Sequence, residues 1–116
     1  MFRFETLTIW QDAREFSKDI YFLTKKFPKG EMFSLTNQLR RAVNSIGANI
    51  AEGSASSSSK DFAHYLDISV KSLYETIAHL QIAEDQKYIC SKDKEVLYEK
   101  ADILARKIRS FRKTLL

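Results

Sequence analysis

Residues 34–53 of the chain read SLTNQLRRAVNSIGANIAEG, and their pattern is the clearest indication of its architecture. Apolar residues recur at every third or fourth position, which is the spacing of one face of an α-helix. These residues are Leu35, Leu39, Ala42, Ile46 and Ile50. Ser34 is a residue type that favours a helix N-cap, and Gly53 is a type that favours the position just after a helix. The stretch therefore predicts a helix over about residues 35–52.

Three other segments show helical spacing. Thr8 and Gln11 have the form of a capping box before the first, and Pro28 and Gly30 follow its end. The serine-rich stretch 53–59 predicts a connection whose last serines cap the third helix. In the fourth, apolar residues keep a 4-3-4-3-4 spacing, as in a coiled coil. They are Leu97, Ala101, Leu104, Ile108, Phe111 and Leu115. The predicted helices cover about residues 8–27, 35–52, 60–88 and 92–114.

Length and composition agree with a single all-α domain over residues 1–116. The chain has only three Gly and one Pro, too few for the many turns of an all-β fold. Four helices with short connections predict an antiparallel up-down-up-down bundle. Several apolar residues lie beside the main stripes, which indicates a second apolar face and hence self-association. They are Tyr21, Phe22, Tyr65, Ile68, Val70 and Tyr74.

The sequence offers little for catalysis or metal binding, so we expect a protein that is not an enzyme and needs no cofactor. His64 and His79 lie on one predicted helix, about 22 Å apart along its axis, and cannot share a metal within the chain. The single cysteine, Cys90, excludes an internal disulfide, and no glycine-rich phosphate loop is present. No apolar run approaches the ~18 residues of a membrane span, and the N-terminus does not resemble a signal peptide. We therefore expect a cytoplasmic protein.

Polar residues accompany the apolar stripes of the second and third helices. They are Ser45, Asn49 and Glu52 on one, and Ser69, Ser72 and Glu75 on the other. Because buried polar groups must be hydrogen-bonded, we expect Ser45, Asn49, Glu52, Ser72 and Glu75 to form a structural network across the bundle. A binding site is the alternative interpretation.

The run Gln38–Gly53, with Trp10–Ala13 before it and Phe62, Tyr65–Leu66 and Glu75 after it, resembles the 23S ribosomal RNA-intervening-sequence proteins, also called four-helix bundle proteins. The resemblance covers nearly the whole chain. It implies an antiparallel bundle that assembles into a homopentameric ring, and it brings no catalytic residues. Some relatives are similar to the accessory subunit of diversity-generating retroelements, which binds a reverse transcriptase and nucleic acid.

Charge then suggests a partner. The chain carries a net charge of +4, and its last eleven residues hold five basic groups and no acid. A ring would repeat each basic patch five times and offer a surface for phosphates. The candidate residues for binding RNA or DNA are Lys25, Lys26, Lys29, Arg40, Arg41, Arg106, Arg109, Arg112 and Lys113. Arg41 has an alternative role, bridging subunits through Glu52 or Glu75.

Two functional hypotheses remain. The first is a non-enzymatic homo-oligomer that binds RNA or DNA through repeated basic surfaces. The second is a protein-interaction adaptor, or an accessory subunit of a larger complex such as one with a reverse transcriptase, which does not itself bind nucleic acid.

Overall fold

The computed structural model describes residues 1–116 and contains four α-helices and no β-strand. The helices are α1 (Thr8–Thr24), α2 (Leu35–Ser54), α3 (Ser59–Asp85) and α4 (Ser91–Thr114). Two 3₁₀ turns, Arg3–Thr6 and Lys29–Glu31, precede α1 and α2. The prediction of an all-α chain with four helices is confirmed. Two helices end about three residues earlier than expected, α1 at Thr24 and α3 at Asp85.

Ion pairs between α1 and α4 fix which ends of the helices are neighbours. Lys107 Nζ lies 2.9 Å from Asp12 Oδ2, and Lys100 Nζ lies 2.8 Å from Asp19 Oδ2. The C-terminal part of α4 therefore lies beside the N-terminal part of α1. The connection between α1 and α2, residues 25–34, is consequently at the opposite end from the α4 C-terminus in a molecule 43 Å long.

The apolar stripes of all four helices meet in one core of 22 buried residues. The members without exposed surface come from every helix and match the spacing expected for a helix face buried along its length. They are Ile20 on α1, Leu39, Val43, Ile46 and Ile50 on α2, Leu66, Leu80 and Ala83 on α3, and Ile108 on α4, together with Ala13. The stripes identified in the sequence are thus the ones that form the core.

Small residues bring α2 and α3 close together. Ser69 is fully buried on α3, and its hydroxyl donates a hydrogen bond to the carbonyl of Ile46 on α2 at 2.7 Å. The prediction that Gly53 follows the end of the helix is wrong, because α2 continues through Ser54 and Gly53 does not adopt a positive φ. A Cβ atom on Gly53 would lie 2.7 Å from atoms of both Phe62 and Tyr65. The sequence requires glycine there because α3 approaches so closely.

Two of the predicted helix starts are built differently from expectation. The capping box of Thr8 and Gln11 is wrong, because the N-cap is Leu7 and its side chain makes no capping hydrogen bond. Gln11 instead donates through Nε2 to the carbonyl of Glu5 at 2.9 Å. The expectation for α3 is confirmed, since Ser58 Oγ accepts a hydrogen bond from the backbone N–H of Asp61.

Glu31 performs the capping that the sequence assigned to Ser34. Ser34 Oγ donates to Glu31 Oε2 at 2.6 Å, and the same oxygen accepts the N–H of Leu35 at 3.3 Å. Tyr88, which follows α3, donates its hydroxyl to the other carboxylate oxygen at 2.9 Å. These hydrogen bonds, from Ser34 first, lower the pKa of Glu31, and the bond to Glu31 raises the pKa of Tyr88.

We therefore expect Glu31→Gln to reduce stability at pH 7 and to have a much smaller effect at pH 3. A carboxyl group whose pKa is lowered by folding stabilises the protein above its unfolded pKa, and this contribution is lost as the pH falls through its folded pKa. Urea unfolding at the two pH values measures the difference. The control Glu99→Gln, at an exposed position of α4, should change stability little at either pH. An equal loss at pH 7 and pH 3 for Glu31→Gln would contradict this role.

Candidate nucleic-acid interface

The nine predicted basic residues lie in two groups at opposite ends of the molecule. We call the first group the α1–α2 basic surface and the second the α4 basic surface. The α1–α2 basic surface consists of Lys25, Lys26, Lys29, Arg40 and Arg41, and the α4 basic surface of Arg106, Arg109, Arg112 and Lys113. One chain therefore offers two separate candidate surfaces and not one continuous face.

Three lysines of the α1–α2 basic surface lie on the connection that follows α1. Lys25, Lys26 and Lys29 are exposed and take part in none of the ion pairs of the chain. Cations beside a helix C-terminus are favoured by the helix dipole, which accounts for Lys25 and Lys26. Lys26 Nζ lies 5.4 Å from the centre of the Phe22 ring. All three ammonium groups remain free to meet an anion.

The two arginines of the α1–α2 basic surface differ in how free they are. Arg40 is half-buried, donates through Nε to Thr24 Oγ1 at 3.0 Å, and places its guanidinium carbon 4.7 Å from the Tyr21 ring centre. It therefore joins α2 to α1. Arg41 is exposed without an ion pair and borders a polar groove of about 370 Å³ between α2 and α3. The groove is also lined by Gln38, Ala42, Ser45, Ser72 and Glu75.

Most of the α4 basic surface is already engaged within the chain. Arg112 is half-buried; its Nη2 donates to Asp67 Oδ2 at 3.1 Å and its Nε lies 2.7 Å from Oδ1 of the same carboxylate. Arg109 donates through Nη2 to the Tyr74 hydroxyl at 3.1 Å. Arg106 pairs with Asp102 at 3.0 Å, with both side chains largely exposed. Among the four, only Lys113 makes no such contact, and Arg112 helps to hold α4 against α3.

The structure joins three of the five residues assigned to the polar network. Ser45 Oγ accepts hydrogen bonds from Ser72 Oγ and from Asn49 Nδ2, each at 3.0 Å, so the network links α2 to α3. Glu75 lies outside it and contacts His79 Nε2 at 3.4 Å, while the exposed carboxylate of Glu52 makes no hydrogen bond or ion pair. The hydroxyls and the amide satisfy one another, whereas both carboxylates face solvent.

Exposed aromatic and apolar side chains at the α1–α2 end were not identified as functional from the sequence. Phe33 is 93% exposed, Phe22 66% and Met32 44%. The only available signal was the pair Met32–Phe33, which stands between polar residues and belongs to no helical stripe. The structure thus combines bare aromatic rings with unpaired lysines at one end of the molecule.

The comparisons with known proteins agree with this architecture. The sequence model of the 23S rRNA-intervening sequence protein family matches residues 5–110. The chain belongs to this family. The matched residues include the whole α1–α2 basic surface, but not Arg112 and Lys113 of the α4 basic surface. A search of curated protein sequences finds no match.

A solved structure resembles this member of the family closely. It is the crystal structure of a protein with unknown function from the S23 ribosomal protein family of Bacteroides thetaiotaomicron VPI-5482. It superposes with a TM-score of 0.83 at 27% sequence identity, over 91% of this chain and 99% of that chain. The likeness covers almost the whole fold of both proteins, and the function of that relative is unknown.

Two further observations concern the remaining chemistry of the chain. No group of three or more His, Cys, Asp and Glu side chains lies close enough together to hold a metal ion. None of the helices combines the length and the apolarity that crossing a membrane requires.

Proposed function

We propose that this protein is a non-enzymatic, antiparallel up-down-up-down four-helix bundle that assembles into a cyclic homopentamer and binds RNA or DNA through repeated basic surfaces. The observation that carries the proposal is the set of exposed, unpaired cations at the α1–α2 end, Lys25, Lys26, Lys29 and Arg41. Unpaired cations grouped at one place are the electrostatic footprint of a phosphate-binding protein.

The contacts between helices support the antiparallel arrangement. Arg40 bonds to Thr24 between α2 and α1, and Ser69 bonds to Ile46 between α3 and α2. In each pair, a residue near the start of one helix or at its middle meets the matching part of a neighbour that runs the other way. The ion pairs that join α4 to α1 follow the same rule.

Exposed apolar residues away from the core support assembly into a ring. A cyclic oligomer uses two different patches on each subunit, so its subunits need apolar surface on more than one side. Ile82, Val96 and Ile103 are each almost half exposed and lie on α3 and α4. Five copies of a chain with a net charge of +4 would carry about +20, and every basic surface would occur five times.

The α1–α2 basic surface gives a sharp test of this function. We expect Lys25→Glu/Lys26→Glu/Lys29→Glu to weaken RNA binding at least about tenfold and to make the dependence of affinity on salt shallower. The reason is that each lost phosphate contact lowers the slope of log affinity against log salt by about 0.9. Binding to a labelled 20-nucleotide RNA is measured from 50 to 200 mM salt, with the mass of the assembly recorded for each protein.

A matched control separates the position of the charges from their number. Lys60→Glu/Lys71→Glu/Lys92→Glu makes the same change in net charge at three exposed lysines of α3 and α4 that form no ion pair. We expect this control to keep most of its affinity and its full salt dependence. An equal loss in both variants would show that net charge and not the α1–α2 surface attracts RNA.

The adaptor hypothesis predicts a different result in the same experiment. If the wild-type assembly binds no RNA or DNA even at low salt, nucleic acid is not its ligand. A protein partner, such as a reverse transcriptase, should then remain bound in a pull-down after nuclease treatment. The exposed apolar side chains of α3 and α4 are the surface available for such a partner.

A further inference from the structure

Two aromatic rings flank the lysines of the α1–α2 end and are left without a protein partner over most of their surface. Phe22, in the last turns of α1, is 66% exposed, and Phe33, just before α2, is 93% exposed. Met32 beside Phe33 is 44% exposed. Single exposed apolar residues are ordinary, but three of them at one connection, among three unpaired lysines, form a distinct surface.

The fold holds the connection in a defined conformation while these rings stay outside. Phe27, in the same connection, is buried and packs against Tyr88, with ring centres 5.5 Å apart. Glu31 bonds to Tyr88, to Ser34 and to the backbone of Leu35. Since the connection is fixed at Phe27 and at Glu31, the exposure of Phe33 results from an anchored backbone and does not depend on an unfolded loop.

Charge on this side of the molecule favours an anionic occupant. Glu31 is the one acidic residue of the connection, and its carboxylate is occupied by three hydrogen bonds. Asp19 on α1 is paired with Lys100 of α4. The other acidic residues at this end belong to the end of α3 and the start of α4, namely Glu84, Asp85, Asp93 and Glu95. Lys25, Lys26 and Lys29 therefore have no acidic partner on their own elements.

We propose that the α1–α2 end binds single-stranded nucleic acid, with bases stacked on Phe22 and Phe33 and phosphates held by Lys25, Lys26 and Lys29. Proteins that bind single strands combine a positive surface with aromatic side chains on which bases stack. A duplex keeps its bases stacked internally and leaves these rings unused. The inference rests on the proposed function, which requires that nucleic acid binds, and adds the strandedness and the residues that select it.

A second copy of the chain is a less suitable occupant of the same surface. An interface would have to bury three unpaired lysines, and charged groups buried without partners are costly. The unpaired lysines would need acids on the opposing surface, whereas the phosphates of a nucleic acid supply the negative charge directly. The mass of the assembly distinguishes the two occupants experimentally.

The test compares a labelled 20-nucleotide poly(U) RNA with a 20-base-pair RNA duplex at one salt concentration. We expect the wild-type protein to prefer the single strand. Phe33→Ala and Phe22→Ala should each lose about five- to a hundredfold in affinity for the single strand and leave duplex affinity unchanged. Because no phosphate contact is removed, the salt dependence should remain that of the wild type.

Two controls identify the aromatic ring as the cause. Phe33→Leu keeps an apolar side chain without a ring and should lose as much single-strand affinity as Phe33→Ala. Ile103→Ala changes an exposed apolar residue on α4, 47% exposed, and should bind as the wild type does. Because Phe33 is almost fully exposed, its variants should unfold at the wild-type temperature, so reduced binding cannot result from misfolding.

The outcomes separate this inference from the proposed function. If the phenylalanine variants bind the single strand normally while the triple lysine variant does not, the basic surface stands and the stacking role is overturned. If they lose single-strand and duplex binding equally, the preference for single strands is overturned. A fall in the mass of the assembly for Phe33→Ala would assign the ring to a subunit contact. Absence of binding by the wild type would overturn both proposals.

Discussion

Replacing Gly53 with alanine should destabilise the protein by about 2 to 3 kcal/mol, although alanine is the better helix former. Gly53 is buried inside α2, and the added Cβ would lie 2.7 Å from Phe62 Cδ1 and 2.7 Å from Tyr65 Cβ. The ring of Phe62 can rotate, but the Cβ of Tyr65 is fixed to the α3 backbone. The two helices must therefore move apart, and the contacts around them are lost.

Gly47 provides the matched control because it lies in the interior of the same helix. A Cβ there would meet its first neighbour, Nε1 of Trp10, at 3.6 Å, which is an ordinary van der Waals distance. Gly47→Ala should consequently stabilise the protein by about 0.5 to 1 kcal/mol through helix propensity alone. Urea unfolding of both variants at one protein concentration measures the pair. A stabilising Gly53→Ala would contradict the close approach of α2 and α3.

The success of the sequence analysis with the fold has a simple cause. Residues such as Leu39, Ile46 and Leu66 repeat at helical spacing, and a buried face requires that spacing whatever the partner helix is. Gly53 shows where this argument fails. A glycine near the end of a stripe suggests a helix stop, and only the position of Phe62 and Tyr65 reveals that it is a point of close contact.

The candidate site was less accessible to sequence analysis, because the role of a cation depends on what lies beside it in three dimensions. Arg112 and Lys113 are adjacent and look equivalent, yet Arg112 meets Asp67 from a helix 45 residues away and Lys113 meets no acid. Phe33 was overlooked for the same reason. Nothing in its neighbours along the chain indicates that the fold leaves its ring in solvent.

The second large effect concerns Ser69, where the distance between α2 and α3 is shortest in terms of hydrogen bonding. Ser69 has no exposed surface, and its Oγ lies 2.7 Å from the carbonyl oxygen of Ile46. A leucine at this position would have to place three more carbon atoms against the α2 backbone. We expect Ser69→Leu to destabilise the protein by about 3 kcal/mol or more, through overpacking.

Ser69→Ala separates the volume of the side chain from its hydrogen bond. Alanine removes the donor, fits the same space, and should cost only about 1 kcal/mol, the net value of a typical hydrogen bond. Ser69→Val should fall between the two, which keeps the test decisive even if the leucine variant does not fold. Urea unfolding at a fixed protein concentration, necessary because assembly contributes to stability, gives the three free energies. If alanine costs as much as leucine, the hydrogen bond and not the narrow space between α2 and α3 determines the residue at position 69.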